Sequence, residues 1–225
     1  SRGLGKSLAE LQLSKGHKVF GCSRGEGTID SPNYHHTTLD LADESQVRSW
    51  VNQSRKLLGQ VDVLICNAGM VQAKLLLSVT PSSLFGEFIK SNVVSVFNPV
   101  REVSKYMAQK QKGRIIVISS TMVPLKEKGT SIYSSTKSFV SQMVKVLAKE
   151  LAEKNVTCNV IAPGMMWTKA SAELAQDGEW HKRMLDLQTI PRLIEHSEVG
   201  HVVDFLISDL ASAITGQEIY LGLVD

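Results

Sequence analysis

A tyrosine and a lysine one helical turn apart are the residues of this chain best suited to move a proton. Tyr133 and Lys137 are four positions apart, and that spacing brings two side chains onto one face of an α-helix. Ser120 lies thirteen positions before Tyr133, directly after an apolar run that predicts a strand. A hydroxyl, a phenol and an ammonium group held together can protonate or deprotonate an oxygen on a reacting carbon. The Tyr–Lys pair alone occurs by chance on many amphipathic helices, so the interpretation depends on what surrounds it.

Short apolar runs alternate with helical patterns along the chain, and these elements must position the three residues. Strands are predicted at 18–22, 37–39, 61–66, 113–119, 156–162 and 217–221. Helices are predicted at 3–15, 43–57, 81–108 with a bend near Pro99, 131–154, a broken region at 170–187, and 196–208. Apolar strands that alternate with helices are typical of a parallel sheet covered on both faces. The sequence therefore predicts an α/β fold, a doubly wound (Rossmann) parallel sheet, in a single domain spanning residues 1–225.

Composition and charge narrow the class of protein. The 225 residues are 43% hydrophobic and 21% charged, which is ordinary for one globular domain. A net charge of +3 without a long basic run favours neither a nucleic acid nor a membrane as partner. The odd number of cysteines favours reduced thiols in a cytoplasmic protein: Cys22, Cys66 and Cys158. His35 and His36 have no further ligand at metal-binding spacing, so we predict no metal site.

The chain begins inside a glycine-rich turn that leads into a helix. Gly3-Leu4-Gly5 fits either the second half of a dinucleotide-binding loop, where glycine lets the backbone approach a pyrophosphate, or a plain helix start. A third interpretation takes Gly5-Lys6-Ser7 as the end of a phosphate-binding Walker A loop. A strand normally precedes such a loop, and the sequence has none there. We therefore expect that the chain is N-terminally truncated and lacks the first strand of the fold.

Seven ordered segments resemble the motifs of the short-chain dehydrogenases/reductases, and together they favour the dinucleotide loop over the Walker A loop. The first matches are Gly3-x-Gly5 for the glycine-rich loop, Asp40-Leu41 for the acidic residue after the third strand, and Asn67-Ala68-Gly69 for N-N-A-G. The others are Asn92 for the helical asparagine, Ser120, Tyr133-x-x-x-Lys137, and Pro163-Gly164 through Thr168 for P-G-x-x-x-T. Over nearly its whole length the chain is similar to this family, and within it to 3-oxoacyl-carrier-protein reductases.

The resemblance implies an oxidoreductase that transfers a hydride between NADP(H) and a carbonyl or secondary alcohol. Tyr133 would be the acid–base, and Lys137 would lower the pKa of the phenol by its charge and bind the nicotinamide-ribose hydroxyls. Ser120 would donate a hydrogen bond to the developing oxyanion. Asn92 would hold a water that links Lys137 to bulk solvent. These four residues form the predicted catalytic group.

The residues after the strand predicted at 18–22, which corresponds to the second strand of the family, predict which nicotinamide cofactor is bound. NAD-preferring members of the family carry a carboxylate there, whereas this chain carries Ser23 followed by Arg24. A hydroxyl and a guanidinium suit a 2′-phosphate, and Arg2 adds a second basic residue, so NADP is favoured over NAD. The predicted cofactor-binding residues are Arg2, Gly3, Leu4, Gly5, Ser23, Arg24, Asp40, Leu41, Asn67, Ala68, Gly69, Tyr133, Lys137, Pro163, Gly164 and Thr168.

Departures from the family pattern leave the substrate open. Residues 165–195 form the predicted substrate lid, and the pattern of the orthodox carrier-protein reductases is shortened after Ile190-Pro191. The expected partner is a small-molecule carbonyl or alcohol, and the resemblance implies a homo-oligomer. Two alternatives remain: a nucleotide-sugar or polysaccharide-pathway oxidoreductase of the same family, and a truncated, non-catalytic member.

The resemblance also locates the strand that we expect to be missing. In the family's sheet that strand lies between the strands predicted here at 18–22 and 61–66. Its absence would leave an open position in the middle of the sheet, with buried backbone groups that lack partners. We therefore expect the chain by itself to aggregate and to bind no NADPH.

Overall fold

The computed structural model describes residues 2–71, 75–167 and 178–224. Its strands are β1 Val19–Ser23, β2 Tyr34–Thr38, β3 Val63–Cys66, β4 Gly113–Ile118, β5 Val156–Pro163 and β6 Glu218–Leu221. Its α-helices are α1 Gly3–Ser14, α2 Glu44–Leu58, α3 Ser82–Phe88, α4 Ser95–Lys110, α5 Met122–Leu125, α6 Ser131–Leu151, α7 Gly178–Asp186 and α8 His196–Ile207. Each of the six predicted strands therefore has a counterpart in the structure, and the strands alternate with helices in the predicted order.

The strands form two parallel sheets within the described residues. One contains β1 and β2, and the other has the order β3-β4-β5-β6. The pairing of β4 with β5 is the longest in the second sheet and runs from Gly113 opposite Val156 to Ile118 opposite Ile161. Among the described residues no ladder joins β1 to β3.

Both faces of the four-stranded sheet are covered by helices. Alternate residues of a strand point to opposite faces, and both sets on β4 are buried. Ile115 and Val117 pack in a cluster with residues of α2, α4 and α6. Ile116 and Ile118 pack on the other face with residues of α1 and α8. The prediction of a doubly wound α/β fold is confirmed by this arrangement.

Several element boundaries differ from the predictions. The helix predicted at 81–108 is divided into α3, a π-helical turn at Ile89–Val94, and α4. Pro99 lies inside α4, so the irregularity occurs one to two turns before the bend that we expected. Strand β2 begins at Tyr34, whereas the prediction began at residue 37. Its first residues are polar, so they form no apolar run that would predict a strand. Among the described residues, no helix is both long and apolar enough to cross a membrane.

Candidate functional site

The carboxyl ends of the strands carry most of the residues predicted to be functional. Ser23 ends β1, Asn67 follows β3, Ser119 and Ser120 follow β4, and Pro163 ends β5. Parallel strands place these ends along one edge of each sheet, and ligands of open α/β sheets bind outside that edge. The topology therefore brings residues from distant parts of the sequence to one side of the molecule.

Ser120, Tyr133 and Lys137 lie together at this edge. Helix α6 begins at Ser131, so Tyr133 is in its first turn and Lys137 one turn further along. The Ser120 hydroxyl lies close enough to the Tyr133 phenol to favour the phenolate. The Lys137 ammonium is buried and donates to the carbonyl oxygen of Ile118, the last residue of β4, at 2.9 Å. The predicted Ser–Tyr–Lys group is therefore assembled by contacts between β4 and α6.

Burial changes the acidity of both titratable members of this group. It raises the pKa of the Tyr133 phenol, although the neighbouring Ser120 hydroxyl acts in the opposite direction. Burial also lowers the pKa of Lys137 to about 8. The raised pKa of Tyr133 is opposite to the direction that we expected from the charge of Lys137. The physical reason is that removing water from around the phenol penalises the phenolate.

Asn92 is fully buried in the π-helical turn and joins three parts of the site. Its Oδ1 accepts from the Met70 N–H at 2.7 Å, and its Nδ2 donates to the Met70 carbonyl and to Thr136 Oγ1, both at 3.0 Å. A Cβ placed on Gly69 would lie 3.1 Å from Asn92 Oδ1 and 3.4 Å from Lys137 Nζ. Asn92, Gly69 and Lys137 therefore surround one small space, as their motif positions suggested. The contribution of Thr136 was missed because a threonine inside a helix gives no functional signal.

The start of α1 fits the pyrophosphate of a dinucleotide. Gly3 has a φ of +56°, which favours glycine, and a Cβ there would have no neighbour within 4 Å. The N-cap residue Arg2 makes no capping hydrogen bond, and the first turn contains no acidic residue. The helix thus presents N–H groups, the positive end of its dipole and a guanidinium to an anion. Gly5 packs against Asn67, since a Cβ on Gly5 would lie 2.8 Å from Asn67 Nδ2.

Leu4 and Leu41, both predicted to bind the cofactor, have side chains that serve the core. Leu4 is buried in the cluster that contains Ile116 and Ile118, and Leu41 packs against the cluster on the other face of the sheet. The Leu41 carbonyl accepts from Asn98 Nδ2 at 3.0 Å. Any contact of these two leucines with a cofactor would therefore involve the backbone.

The adenine side of the site is half-exposed and polar. Ser23 is half-buried at the end of β1, and Arg24 is exposed beside it. Asp40, after β2, forms an ion pair with Lys90 at 2.8 Å. The hydrogen bond from Lys90 lowers the pKa of the Asp40 carboxyl, with a smaller effect from the charge of Arg24. These residues place both signs of charge where the family binds the adenosine half of its cofactor.

The loop after β5 is fixed by a buried residue that the sequence did not reveal. Gln188 Oε1 accepts from the Met165 N–H, and its Nε2 donates to the carbonyls of Ile190 and Arg192 at 3.1 and 2.7 Å. A Cβ on Gly164 would lie 2.3 Å from Gln188 Oε1, so glycine is required there. Thr168, predicted to bind the cofactor, lies outside the described residues, as does part of the predicted lid 165–195.

A narrow space of about 10 Å³ adjoins Tyr133, and a wider one of about 310 Å³ lies beyond it. The narrow space has a mainly apolar lining that comprises Leu75, Thr80, Leu84, Phe88, Gly129, Thr130, Ile132 and Tyr133. The wider space is lined by Leu76, Glu127, Lys128, Gly129, Trp180 and Arg183. Gly129 borders both spaces. Over the described part of the chain, no group of three or more His, Cys, Asp or Glu side chains could hold a metal ion.

Comparison with solved structures extends the similarity to the whole fold. A structure described as ElxO with NADP bound superposes with a TM-score of 0.89 at 27% identity, covering 97% of this chain and 92% of that one. A variant of actinorhodin polyketide ketoreductase with NADPH gives a TM-score of 0.88 at 27% identity, covering 97% and 91% of the two chains.

Sequence comparison gives the family. The chain matches the family model described as enoyl-(acyl carrier protein) reductase over residues 1–222. The 3-oxoacyl-[acyl-carrier-protein] reductase FabG of Escherichia coli is 31% identical over 229 residues, which covers 98% of this chain and 92% of the relative. FabG of Vibrio harveyi is 28% identical with the same coverage. The chain therefore belongs to the short-chain dehydrogenase/reductase family of oxidoreductases, as its motifs predicted.

Proposed function

We propose that this protein transfers a hydride between NADP(H) and a carbonyl or secondary alcohol, with Tyr133 as the acid–base. The observation that supports this most directly is the placement of Ser120 beside Tyr133, with the buried Lys137 one helical turn away. A hydroxyl and a phenol that lie side by side can both reach one substrate oxygen. That arrangement suits a reaction in which charge develops on an oxygen and must be neutralised.

In the direction of reduction, NADPH would supply the hydride to the carbonyl carbon. Tyr133 gives its phenolic proton to the carbonyl oxygen, and Ser120 donates a hydrogen bond that orients this oxygen. With its raised pKa Tyr133 carries its proton before the reaction but is a weaker acid than a free phenol, so proton transfer relies on the positive charge of Lys137 to stabilise the phenolate. Lys137 holds the ribose hydroxyls, and its lowered pKa, about 8, lets its ammonium return a proton toward the phenolate near neutral pH.

Asn92 has one acceptor position left for the water proposed to connect Lys137 to the solvent. Both hydrogens of its Nδ2 are used, on the Met70 carbonyl and on Thr136. Its Oδ1 accepts from the Met70 N–H, which leaves the second lone pair of that oxygen for a water. The space beside Gly69 brings this oxygen near Lys137 Nζ. The amide therefore supports the proton path while it fixes the loop that carries Gly69.

NADP is the proposed cofactor because of the residues at the end of β1. Ser23 and the exposed Arg24 offer a hydroxyl and a guanidinium to a 2′-phosphate, and neither residue is acidic. The structural relatives described with NADP or NADPH share the fold over nearly the whole chain. The substrate class is taken from the names of the relatives: a ketone or 3-oxoacyl group whose carbonyl oxygen lies beside Tyr133.

The lid function of residues 165–195 is also a proposal. Arg183 on α7 forms an ion pair with Glu127, at 3.1 Å, and Glu127 lies on the loop that precedes α6. This contact ties α7 to the loop beside Tyr133 and would have to adjust when a large substrate enters. A half-exposed ion pair contributes little to stability, so such adjustment would have a small energetic cost.

A homo-oligomer is proposed from the outer face of α4 and α6. Phe97, Phe139 and Val146 are 41%, 52% and 46% exposed, which is unusual for large apolar side chains on neighbouring helices. A second copy of the chain would cover them. A cytoplasmic location is proposed as well, because the three cysteines are free thiols. Light scattering after size-exclusion chromatography would measure the mass, and a monomer would contradict the oligomer.

The proposed reaction is tested with the full-length protein by following nicotinamide absorbance with NADPH and a panel of ketones and 3-oxoacyl thioesters. We expect oxidation of NADPH with at least one of them and much slower oxidation of NADH. With NADPH deuterated at the transferred position, the alcohol product should contain deuterium at the former carbonyl carbon. A protein that binds NADPH but transfers no deuterium to any of these substrates would contradict the proposal.

A further inference from the structure

A row of polar side chains crosses the β1–β2 sheet next to the proposed phosphate position. Tyr34, His36 and Thr38 are alternate residues of β2 and share one face of the strand. In the register of the sheet, Gly21 lies opposite His36, and Ser23 lies opposite Thr38. Gly21 makes room for the row, because a Cβ there would lie 2.4 Å from the Tyr34 hydroxyl oxygen.

The row converges on a single backbone carbonyl, that of Gly25. Its oxygen is 2.8 Å from Ser23 Oγ, 3.0 Å from His36 Nε2 and 3.3 Å from Thr38 Oγ1. A carbonyl oxygen has two lone pairs, so three donors are one more than it can accept well. One of the three is therefore available for another acceptor without leaving the carbonyl unsatisfied.

The contacts of His36 identify which donor is free to leave. A carbonyl can only accept, so Nε2 of the ring must carry the hydrogen that it donates to Gly25. The Tyr34 hydroxyl lies 3.0 Å from the other ring nitrogen, Nδ1, and donates to it in this tautomer. Nε2 also lies 3.2 Å from Ser23 Oγ. The ring is held in place from both sides, so the donors that can rotate away are the hydroxyls of Ser23 and Thr38, and Ser23 is the one next to Arg24.

We infer that His36 is a positioning residue for recognition of the 2′-phosphate of NADP: it holds the Gly25 carbonyl and thereby releases the Ser23 hydroxyl to the phosphate. Arg24 lies between Ser23 and Gly25, so the same contact fixes the backbone that carries the guanidinium. Tyr34 acts through His36 by keeping the hydrogen on Nε2. This inference rests on the proposed cofactor and adds to it residues of β2 that do not touch the phosphate.

The test is calorimetric titration of the full-length protein and its variants with NADPH, NADH and 2′,5′-bisphosphoadenosine, which carries the phosphate without a nicotinamide. His36→Leu removes the donor, and we expect about tenfold weaker binding of NADPH and of the bisphosphate, with NADH binding unchanged. His36→Gln can donate to Gly25 from its amide nitrogen, and its affinities should remain within about threefold of the wild type. Tyr34→Phe should weaken NADPH binding by about threefold.

His35→Leu is the matched control. His35 is the neighbouring imidazole on the opposite face of β2, where its ring contacts Phe20 at 6.1 Å between centroids. The His35→Leu variant should leave the affinities for NADPH, NADH and the bisphosphate unchanged, and thermal unfolding should confirm that each variant is folded. Unchanged discrimination between NADPH and NADH in both His36→Leu and Tyr34→Phe, or equal losses for the two cofactors, would overturn the inference alone. A wild type that binds NADH as tightly as NADPH would overturn the cofactor proposal together with it.

Discussion

The two sheets of this protein support the same kind of loop in different ways. Every residue of β5 is buried, and the last four of β4 are buried as well, so the loops after them rest on a close-packed core. The residues of β1 are all half-buried, and those of β2 are half-buried or exposed. Ser120 of the proposed catalytic group follows β4, whereas the proposed phosphate loop follows β1.

The difference shows how position is maintained where apolar packing is scarce. Ser120 is positioned by a strand whose side chains are held on both faces by two core clusters. Ser23 is positioned by hydrogen bonds among polar side chains of two strands. Packing resists movement in every direction, whereas a hydrogen-bond network can exchange partners when a ligand arrives. Proton transfer needs the first kind of support, and capture of a flexible phosphate tolerates the second.

The largest effect is expected from a substitution in the proposed catalytic group after the packed sheet. Tyr133→Phe removes the only proton donor of the proposed reaction and leaves the ring in place. Turnover should fall by about a thousandfold, the order of magnitude that general acid catalysis contributes. The dissociation constant for NADPH, measured by fluorescence titration, should change less than threefold. Ser120→Ala should also lower turnover but by less, because it removes an orienting hydrogen bond and not the proton. Near-normal turnover of Tyr133→Phe would exclude this tyrosine as the acid.

The second largest effect is expected from a substitution in the proposed phosphate loop after β1. Arg24→Ala removes a charge-assisted contact, which is worth about 1.5–3 kcal/mol. The Michaelis constant for NADPH should rise tenfold or more, while that for NADH stays within about twofold. Arg48→Ala is the control, because Arg48 is an exposed arginine on α2 paired with Glu44 and should change neither constant. Equal changes for the two cofactors in Arg24→Ala would show that the guanidinium has no role in phosphate selection.

The third prediction compares the packing of the two sheets through one valine in each. Val117 on β4 is fully buried, and Val19 on β1 is half-buried. Val117→Ala should lower the free energy of unfolding by about 2 kcal/mol, since it removes two buried methyl groups and leaves a cavity. Val19→Ala should cost less than about 1 kcal/mol. Urea unfolding of both variants under one condition gives the comparison, and similar losses would contradict a difference in packing between the sheets.

The four-stranded sheet and the proximity of Ser120, Tyr133 and Lys137 were predictable from the sequence, and the polar sheet was not. Apolar runs locate β4 and β5, and the spacing of Tyr133 and Lys137 on α6 fixes their common face. β2 was placed too late because Tyr34, His35 and His36 do not form an apolar run. Their pairing with β1 depends on hydrogen bonds between strands, which leave no periodic signal.

Two contributors to the site could not have been recognised from local patterns. The π-helical turn around Asn92 depends on i to i+5 hydrogen bonds, which have no compositional signature. Gln188 reaches the loop after β5 across more than twenty residues of sequence, and only the folded chain reveals that contact. The raised pKa of Tyr133 was missed for a related reason: burial depends on tertiary packing, whereas charge can be read from the neighbouring lysine.

The smallest effect is a change in stability with pH that reports whether water is excluded from the buried Lys137 beside the four-stranded sheet. In the folded protein its pKa is about 8, whereas a lysine in an unfolded chain has its ordinary value of 10.5. Between these values the unfolded state binds more protons, so the stability contributed by this site rises with pH. Lys137→Met removes the dependence. The difference in unfolding free energy between wild type and variant should shift in favour of the wild type by about 1 kcal/mol from pH 7 to pH 9.

Chemical denaturation of both proteins at the two pH values gives this difference. Burial raises the pKa of each of the three cysteine thiols to about 12, which lowers stability as pH rises above 9. The contributions of Cys22 and Cys158 cancel in the comparison because both proteins contain these thiols. The charge of Lys137 lowers the pKa of Cys66, so both proteins are compared in a Cys66→Ala background. Lys90→Met is the control, since Lys90 is an exposed lysine whose partner is Asp40 on the adenine side. A constant difference between wild type and Lys137→Met would mean that Lys137 keeps its ordinary acidity, and the packed side would then not exclude water from its ammonium group.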